Sequence, residues 1–327
     1  MERSSSRHRP NVGRLAPSPT GGLHLGHART FLAAWLAARS TNGSILLRVE
    51  DLDASRARPE AMTGAQLDLR WLGLDWDEGP DVGGPSGSYV QSERVAIYAA
   101  ALECLKASER VYPCTCTRAD IARAVSAPHA EDEGPVYPGT CSGRSVADAL
   151  SLGDRPFAWR FRVPPGPVVW EDLILGRTAI DPSQTGGDFI VARSTGPFSY
   201  QLAVVQDDAA MGVTQVIRGD DLVASTPRQI LLFQALDLPR PHFGHVPLVH
   251  GPDGRRLAKR DGSIKLATLR ESGMDPRRLV GWLAQSWGLT EEMIPSSPSD
   301  WARGFDLARL SRDPWMVSAE SLEALTP

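Results

Sequence analysis

The order of elements between Asn11 and Asp51 constrains this chain more than any other feature. An apolar–polar strand that starts at Asn11 runs into Pro17-Ser18-Pro19-Thr20-Gly21-Gly22, a composition that turns the chain. Behind the turn, Leu25, Ala28, Phe31, Leu32, Trp35 and Leu36 recur at the spacing of a helix face, and Asn42-Gly43 ends the pattern. Ile45-Leu46-Leu47-Arg48-Val49 then reads as a short, largely buried strand that delivers Glu50-Asp51 at its carboxyl end. Strand, helix, strand predicts a parallel pair with a right-handed crossover, and ligands of such sheets bind beyond the carboxyl ends of the strands. The expected class is α/β with a Rossmann-like parallel sheet.

The rest of the chain divides around that unit. Amphipathic patterns at residues 60–74 and 92–108 predict helices, and the Gly/Pro/Ser-rich stretch 79–88 predicts a loop. Residues 112–143 change character, so 91–185 is taken as an insertion between two catalytic halves, 11–90 and 186–263. Alternation over 157–163 predicts an antiparallel strand inside the insertion. Parallel-sheet style is expected to return at 189–191 and at 213–217, the latter running into Arg218-Gly219-Asp220-Asp221. Thr226-Pro227 should cap and open a helix, and His245-Val246-Pro247-Leu248 is the last strand. After Leu266 a small C-terminal segment, 264–327, reads as helical to its end, with Trp282, Leu283 and Trp287 on one face.

Composition removes several function classes. With 327 residues, 42% apolar, and no apolar run of spanning length, neither a membrane span nor a secretory leader is readable, and the cytoplasm is the expected compartment. The formal charge is −4, and the 35 basic residues include only Lys106, Lys259 and Lys265 as lysines. A nucleic-acid partner must therefore be held on a local patch rather than a basic surface. Four cysteines are too few for a disulfide framework. Cys114-Thr115-Cys116 and Cys141 instead offer thiolates for one tetrahedral zinc ion if a fourth ligand exists, and His129 is the donor that chemistry alone favours. Cys104, on a helical stretch, reads as core.

Two segments can do chemistry. The turn before the first helix ends in His24-Leu25-Gly26-His27, where free backbone N–H groups and the positive end of a helix meet two imidazoles. A His-x-x-His pair is ordinarily surface capping, but here it sits where a phosphate would bind. Gly254-Arg255-Arg256-Leu257-Ala258-Lys259-Arg260-Asp261-Gly262 is a Gly-bounded cationic loop after the last strand. Such runs are usually solvated faces; at the carboxyl side of a parallel sheet this one can close over a polyphosphate.

Together these segments resemble the paired HIGH and KMSKS signatures of class I aminoacyl-tRNA synthetases. The second is degenerate, because in Arg256-Leu257-Ala258-Lys259-Arg260 only Lys259 keeps the motif's second lysine. Arg14-Leu15-Ala16-Pro17-Ser18-Pro19-Thr20-Gly21, Leu47-Arg48-Val49-Glu50-Asp51-Leu52-Asp53 and Val216-Ile217-Arg218-Gly219-Asp220-Asp221-Leu222 are similar to the glutamyl-tRNA synthetase family, and the likeness covers about residues 12–285. The resemblance implies that Arg14, Leu15, Ala16, Pro17, Ser18, Glu50, Tyr200 and Arg218 bind L-glutamate, that His24, Gly26, His27 and Lys259 bind ATP with its Mg2+, and that His24, His27 and Lys259 act in catalysis. The chemistry agrees, since a dicarboxylate wants guanidinium forks and its ammonium wants a carboxylate.

The spacing Tyr137-x-x-x-Cys141 resembles the short paralogues of that family, in which a tyrosine completes the zinc site. The implied ligand set is Cys114, Cys116, Tyr137 and Cys141. The implied reaction is glutamyl-adenylate formation and transfer to the queuosine base in the anticodon of tRNA(Asp), by a monomer without an anticodon-binding domain and away from membranes. Alternatives are a shortened enzyme charging tRNA(Glu), glutamyl transfer to a small amine, and a nucleotide- or RNA-binding module without catalysis.

Overall fold

A computed structural model describes residues 11–124, 136–251, 254, 264–318 and 320. β1 (Val12–Leu15), α1 (Leu25–Arg39) and β2 (Ser44–Leu47) form the expected unit, the strands pairing in parallel from Val12 opposite Ser44 to Leu15 opposite Leu47. Side chains alternate along β2. Ile45 and Leu47 enter one apolar cluster and Leu46 the other, so the sheet is covered on both faces. The turn into β2 requires glycine at position 43, where a Cβ would lie 2.4 Å from the Asn11 carbonyl oxygen.

α2 (Pro59–Trp71) and α3 (Val95–Ala107) follow. Cys104 is exposed on α3 and is not core: the buried face there is Tyr98, Ala101, Leu102 and Leu105. β3 (Val111–Cys114) precedes α4 (Arg118–Ala124) and pairs antiparallel with β4 (Ala158–Phe161), as alternation at 157–163 predicted. β5 (Val168–Asp172) and β6 (Gly176–Ile180) make a hairpin that the sequence did not announce. After the short α5 (Pro182–Thr185), β7 (Phe189–Arg193) pairs antiparallel with β4. The expected return of the parallel sheet at 189–191 is therefore corrected, because an apolar run of that length serves either kind of sheet.

α6 (Tyr200–Ala210) leads to β8 (Gln215–Gly219), which through α7 (Thr226–Ala235) reaches β9 (His242–Val246) and pairs with it in parallel. The β8–β9 pair is joined to β1, with the Thr214 N–H donating to the Val12 carbonyl at 3.0 Å and the Val12 N–H to the Thr214 hydroxyl at 2.8 Å. Thr226 does not cap α7. Its hydroxyl turns inward to Arg218 and His245 instead.

β10 (Val249–His250) is followed by α8 (Leu266–Glu271), α9 (Pro276–Ser286), α10 (Pro298–Ala302) and β11 (Trp315–Met316). The expectation of helix to the end fails at β11, which pairs in parallel with β10. Trp282, Leu283 and Trp287 are buried together, as their spacing predicted. Arg29 ties this segment to α1: it donates to the Pro247 carbonyl and the Ser286 hydroxyl, and its guanidinium lies 5.4 Å from the Trp287 ring centre. No described helix is long and apolar enough to cross a membrane.

Beneath the carboxyl ends of β1 and β2, Arg48 is fully buried and pairs with Asp208 at 2.7 Å and Glu50 at 3.0 Å. Asp207 receives Arg94 at 2.7 Å and both Gln91 and Tyr98 at 2.8 Å. Removing one partner from such a set leaves an uncompensated buried charge. Asp207→Asn is expected to lower unfolding free energy by about 3–5 kcal/mol in urea titration, whereas Glu103→Gln, at the exposed Lys106 pair, should change it by under about 1 kcal/mol.

Candidate functional site

The strand ends converge on a cleft of about 430 Å³ lined by Arg14, Ala16, Ser18, His24, Gly26, His27, Glu50, Tyr200 and Arg218, among others. Residues from β1, the following turn, the end of β2, α6 and β8 thus meet although up to two hundred positions separate them in the chain. Leu15 and Pro17 do not line it. Leu15 is fully buried in the core, and Pro17 contributes its carbonyl, which accepts the Glu50 N–H at 3.1 Å and so ties the turn to β2.

The start of α1 is closed by the two histidines themselves. The His24 Nδ1 accepts the Gly26 N–H at 3.2 Å, and the His27 Nδ1 accepts the His24 N–H at 3.2 Å. Both rings therefore carry their neutral-state proton on Nε2, a donor on a ring that lines the cleft. The rings lie 3.8 Å apart, and a Cβ at position 26 would sit 3.1 Å from the His24 ring, so Gly26 is what lets that ring fold over the first helical turn.

On the opposite wall, Arg14 is buried, donates to the Ile217 carbonyl at 3.1 Å and lies 3.8 Å from Asp208, while its Nε has no hydrogen-bond partner among the described residues. The Glu50 side chain is only 6% exposed. Burial raises its pKa against the opposing pull of Arg48 and Arg14. Burial likewise raises the Tyr200 hydroxyl, with Glu50 adding to the effect, and lowers the Arg218 guanidinium, with Arg14 adding to the loss. A second cleft, also about 430 Å³, shares the wall formed by Ser18, Glu50 and Tyr200 and carries Arg56 and Arg193.

Lys259 and its neighbours Arg256, Leu257, Ala258 and Arg260 lie outside the described residues, as does His129. The residues flanking the Lys259 segment are placed: Val249 lines the cleft, and Lys265 forms an antiparallel bridge with His24.

Three of the four cysteines cluster, and none of them lines this cleft. Sγ atoms of Cys114, Cys116 and Cys141 lie within 4.8 Å of one another, with 3.6 Å between Cys116 and Cys141. Zinc–thiolate bonds of about 2.3 Å at tetrahedral angles put sulfurs about 3.8 Å apart, so the set is compatible with zinc. The Tyr137 hydroxyl stands 3.4 Å from the Cys114 Sγ, accepts the Cys141 N–H at 2.8 Å, and its ring lies 3.9 Å beneath the Arg160 guanidinium. Burial raises the Cys141 thiol, but the Thr115 backbone and the Tyr137 hydroxyl outweigh it and bring the group to about 7.

The family model for the catalytic domain of class I tRNA synthetases, E and Q, matches residues 12–324. The chain belongs to this family. It is 51% identical over 96% of its length to the glutamyl-Q tRNA(Asp) synthetase of Symbiobacterium thermophilum, 98% of which is covered. It is 47% identical over 96% of its length to the protein of the same name from Nitratidesulfovibrio vulgaris, 97% of which is covered. The crystal structure of a glutamate-tRNA synthetase from Elizabethkingia anophelis superposes with a TM-score of 0.84 at 27% identity, over 97% of this chain and 70% of that one.

The sequence did not reveal the polar residues behind this synthetase cleft. Asp172 and His245 are fully buried and joined at 2.5 Å, and His245 reaches Arg218 at 3.1 Å. One signal was available for the neighbouring set: Arg48, a charge inside an otherwise apolar strand, requires buried counter-charges. Burial works against ionisation of Asp172, but His245 and the Ile174 and Leu175 N–H groups prevail and hold it at about 2, below its unfolded value of 3.8. A depressed carboxylate stabilises the fold above its unfolded pKa, and that contribution is lost as pH falls from about 4 through about 2. Asp172→Asn is expected to lose about 2 kcal/mol near neutrality and to flatten that part of the acid-denaturation curve.

Proposed function

We propose that the chain activates L-glutamate with ATP and transfers the glutamyl group to the queuosine base in the anticodon loop of tRNA(Asp). One observation carries the activation step: a single cleft joins paired guanidinium groups and a carboxylate on one wall to an imidazole-bearing helix start on the other. The acceptor is supported by relatives of that name whose lengths this chain matches almost in full.

Arg14 and Arg218 receive the substrate carboxylates, and Glu50 receives the ammonium through the oxygen that Arg48 leaves open. Tyr200 closes the pocket. An oxygen of the glutamate α-carboxylate attacks the α-phosphorus of ATP; the new P–O bond forms as the bond to the β-phosphate oxygen breaks and pyrophosphate leaves. Mg2+ carried with ATP neutralises phosphate charge. The Nε2–H groups of His24 and His27, at the positive end of α1, donate to the phosphates. Lys259 adds a cation to the departing pyrophosphate; it is six residues from Lys265, a tether of at most about 20 Å.

In the second step a hydroxyl of the queuosine base attacks the activated carbonyl, its proton passes to the departing phosphate oxygen, and AMP leaves. The cleft with Arg56 and Arg193 adjoins Glu50 and Tyr200 and suits a nucleotide entering from that side. The insertion of residues 91–185 is the acceptor-facing subdomain, and Cys114, Cys116, Tyr137 and Cys141 hold one structural zinc ion in it. Burial and the neighbouring Cys114 thiol raise the Tyr137 hydroxyl, against the pull of the Cys141 N–H, so the bound zinc ion itself would have to supply the charge that favours the phenolate such a ligand needs. The enzyme is read as monomeric and cytoplasmic.

Labelled glutamate should pass to queuosine-containing tRNA(Asp) at the anticodon, and not to the 3′ end of tRNA(Glu). Transfer to the 3′ adenosine, indifferent to queuosine, would overturn the acceptor, and no glutamate-dependent ATP–pyrophosphate exchange would overturn the activation. Lys259→Ala should lower kcat for exchange about 10²- to 10³-fold while the KM for glutamate moves less than about threefold. Metal analysis should return about one zinc per chain, with Cys141→Ser losing it and Tyr137→Phe binding it more weakly.

A further inference from the structure

The Arg218 guanidinium is held by uncharged groups. Its Nε–H donates to the His245 Nε2 at 3.1 Å, one Nη to the Gln229 Oε1 at 2.8 Å, and the other to the Thr226 hydroxyl at 2.8 Å. Two of the three acceptors are themselves oriented from behind. Gln229 spends its amide N–H on Gln201 at 2.8 Å, which leaves its oxygen for the arginine. His245 spends its Nδ1–H on Asp172 Oδ2 at 2.5 Å, which leaves Nε2 as an acceptor. The other oxygen of Asp172 accepts the backbone N–H groups of Ile174 and Leu175, both at 3.0 Å, and of His245 at 3.1 Å. Burial and the Arg218 charge lower the His245 pKa despite the Asp172 hydrogen bond, so the ring stays neutral.

We propose that Asp172 and His245 are positioning residues that fix the Arg218 guanidinium by setting the imidazole tautomer, and so set affinity for the substrate carboxylate. The inference rests on the reading that Arg218 receives a glutamate carboxylate. A carboxylate placed directly on Arg218 would orient it equally well but would compete with the substrate for its charge. Interposing a neutral imidazole separates the two tasks: Asp172 supplies direction, and the charge stays available to the cleft that Arg218 lines.

The decisive variant is Asp172→Asn. Its single oxygen stays with the backbone N–H groups, so its amide nitrogen faces the His245 Nδ1 as a donor. The ring must then carry its proton on Nε2, where it can turn to the Thr226 hydroxyl 3.1 Å away but meets the Arg218 Nε–H donor to donor, so the arginine loses that acceptor. The KM for glutamate in ATP–pyrophosphate exchange should rise about 10- to 100-fold, while the KM for ATP moves less than about threefold. In 15N spectra of the full chain, the His245 ring should change from the Nδ1–H to the Nε2–H pattern. His245→Gln, which keeps an acceptor near Nε2, should recover most of what His245→Leu loses in glutamate KM, and this pair decides the matter if Asp172→Asn does not fold. Arg218→Ala separates the two levels. If it leaves the glutamate KM unchanged, the carboxylate reading fails; if it raises that KM while Asp172→Asn and His245→Leu do not, or if the wild-type ring carries its proton on Nε2, the positioning proposal is overturned.

Discussion

The wall of the cleft that carries Arg14 and Glu50 stands on the buried guanidinium of Arg48. It is fully buried beneath the sheet's carboxyl edge, and it reaches Asp208 on α6 and Glu50 at the end of β2. Asp208 faces Arg14 on β1, while the adjacent Asp207 is occupied by Arg94, Gln91 and Tyr98. Charges taken out of water persist only when each has partners. The set therefore does two things at once: it locks β1, β2 and α6 in one relative placement, and it leaves Arg14 and Glu50 at the surface of the cleft in fixed orientations. The geometry of this wall of the cleft is in this way a by-product of satisfying charges beneath it.

The two arginines of the pocket are supported by different physics. Arg14 lies 3.8 Å from an anion, Asp208, that also pairs with Arg48. Arg218 is hydrogen-bonded to an imidazole, an amide and a hydroxyl, and Asp172 stands on the far side of that imidazole. A dicarboxylic amino acid presents two anionic groups and one cation. A site with one carboxylate at hand and two guanidinium groups held by shared or neutral partners complements that pattern without adding a net buried charge of the wrong sign.

Local chemistry made much of this architecture legible. The Pro/Gly turn, the stripe from Leu25 to Leu36 and the apolar run at Ile45 specify strand, helix and strand because each signal is short-range and each has a physical cause. Phe189–Arg193 misled for the same reason in reverse: its apolar residues fit a parallel or an antiparallel neighbour, and only pairing with Ala158–Phe161 decides which. Thr226 and Cys104 erred through side-chain direction. A threonine before proline has the composition of a helix cap, yet its hydroxyl is drawn to Arg218, and a cysteine on an amphipathic helix lies outside simply because its position faces water.

The lining of the cleft was legible where an unusual polar residue stands in a recognisable turn or near a strand end, as with His24, Gly26, His27, Glu50 and Arg218. The residues that hold those groups in place were not. Asp172 and His245 are 73 positions apart, one at the turn of a hairpin and the other near the end of a strand, and neither stands in a pattern that names its partner. Their meeting depends on the β5–β6 hairpin docking against β9, where the Leu173 N–H donates to the Phe243 carbonyl at 2.8 Å. A pairing created by the packing of two separate sheets has no period and no fixed spacing in the sequence. For that reason the orientation of a guanidinium, which decides whether a carboxylate is gripped or merely attracted, belongs to the tertiary structure alone.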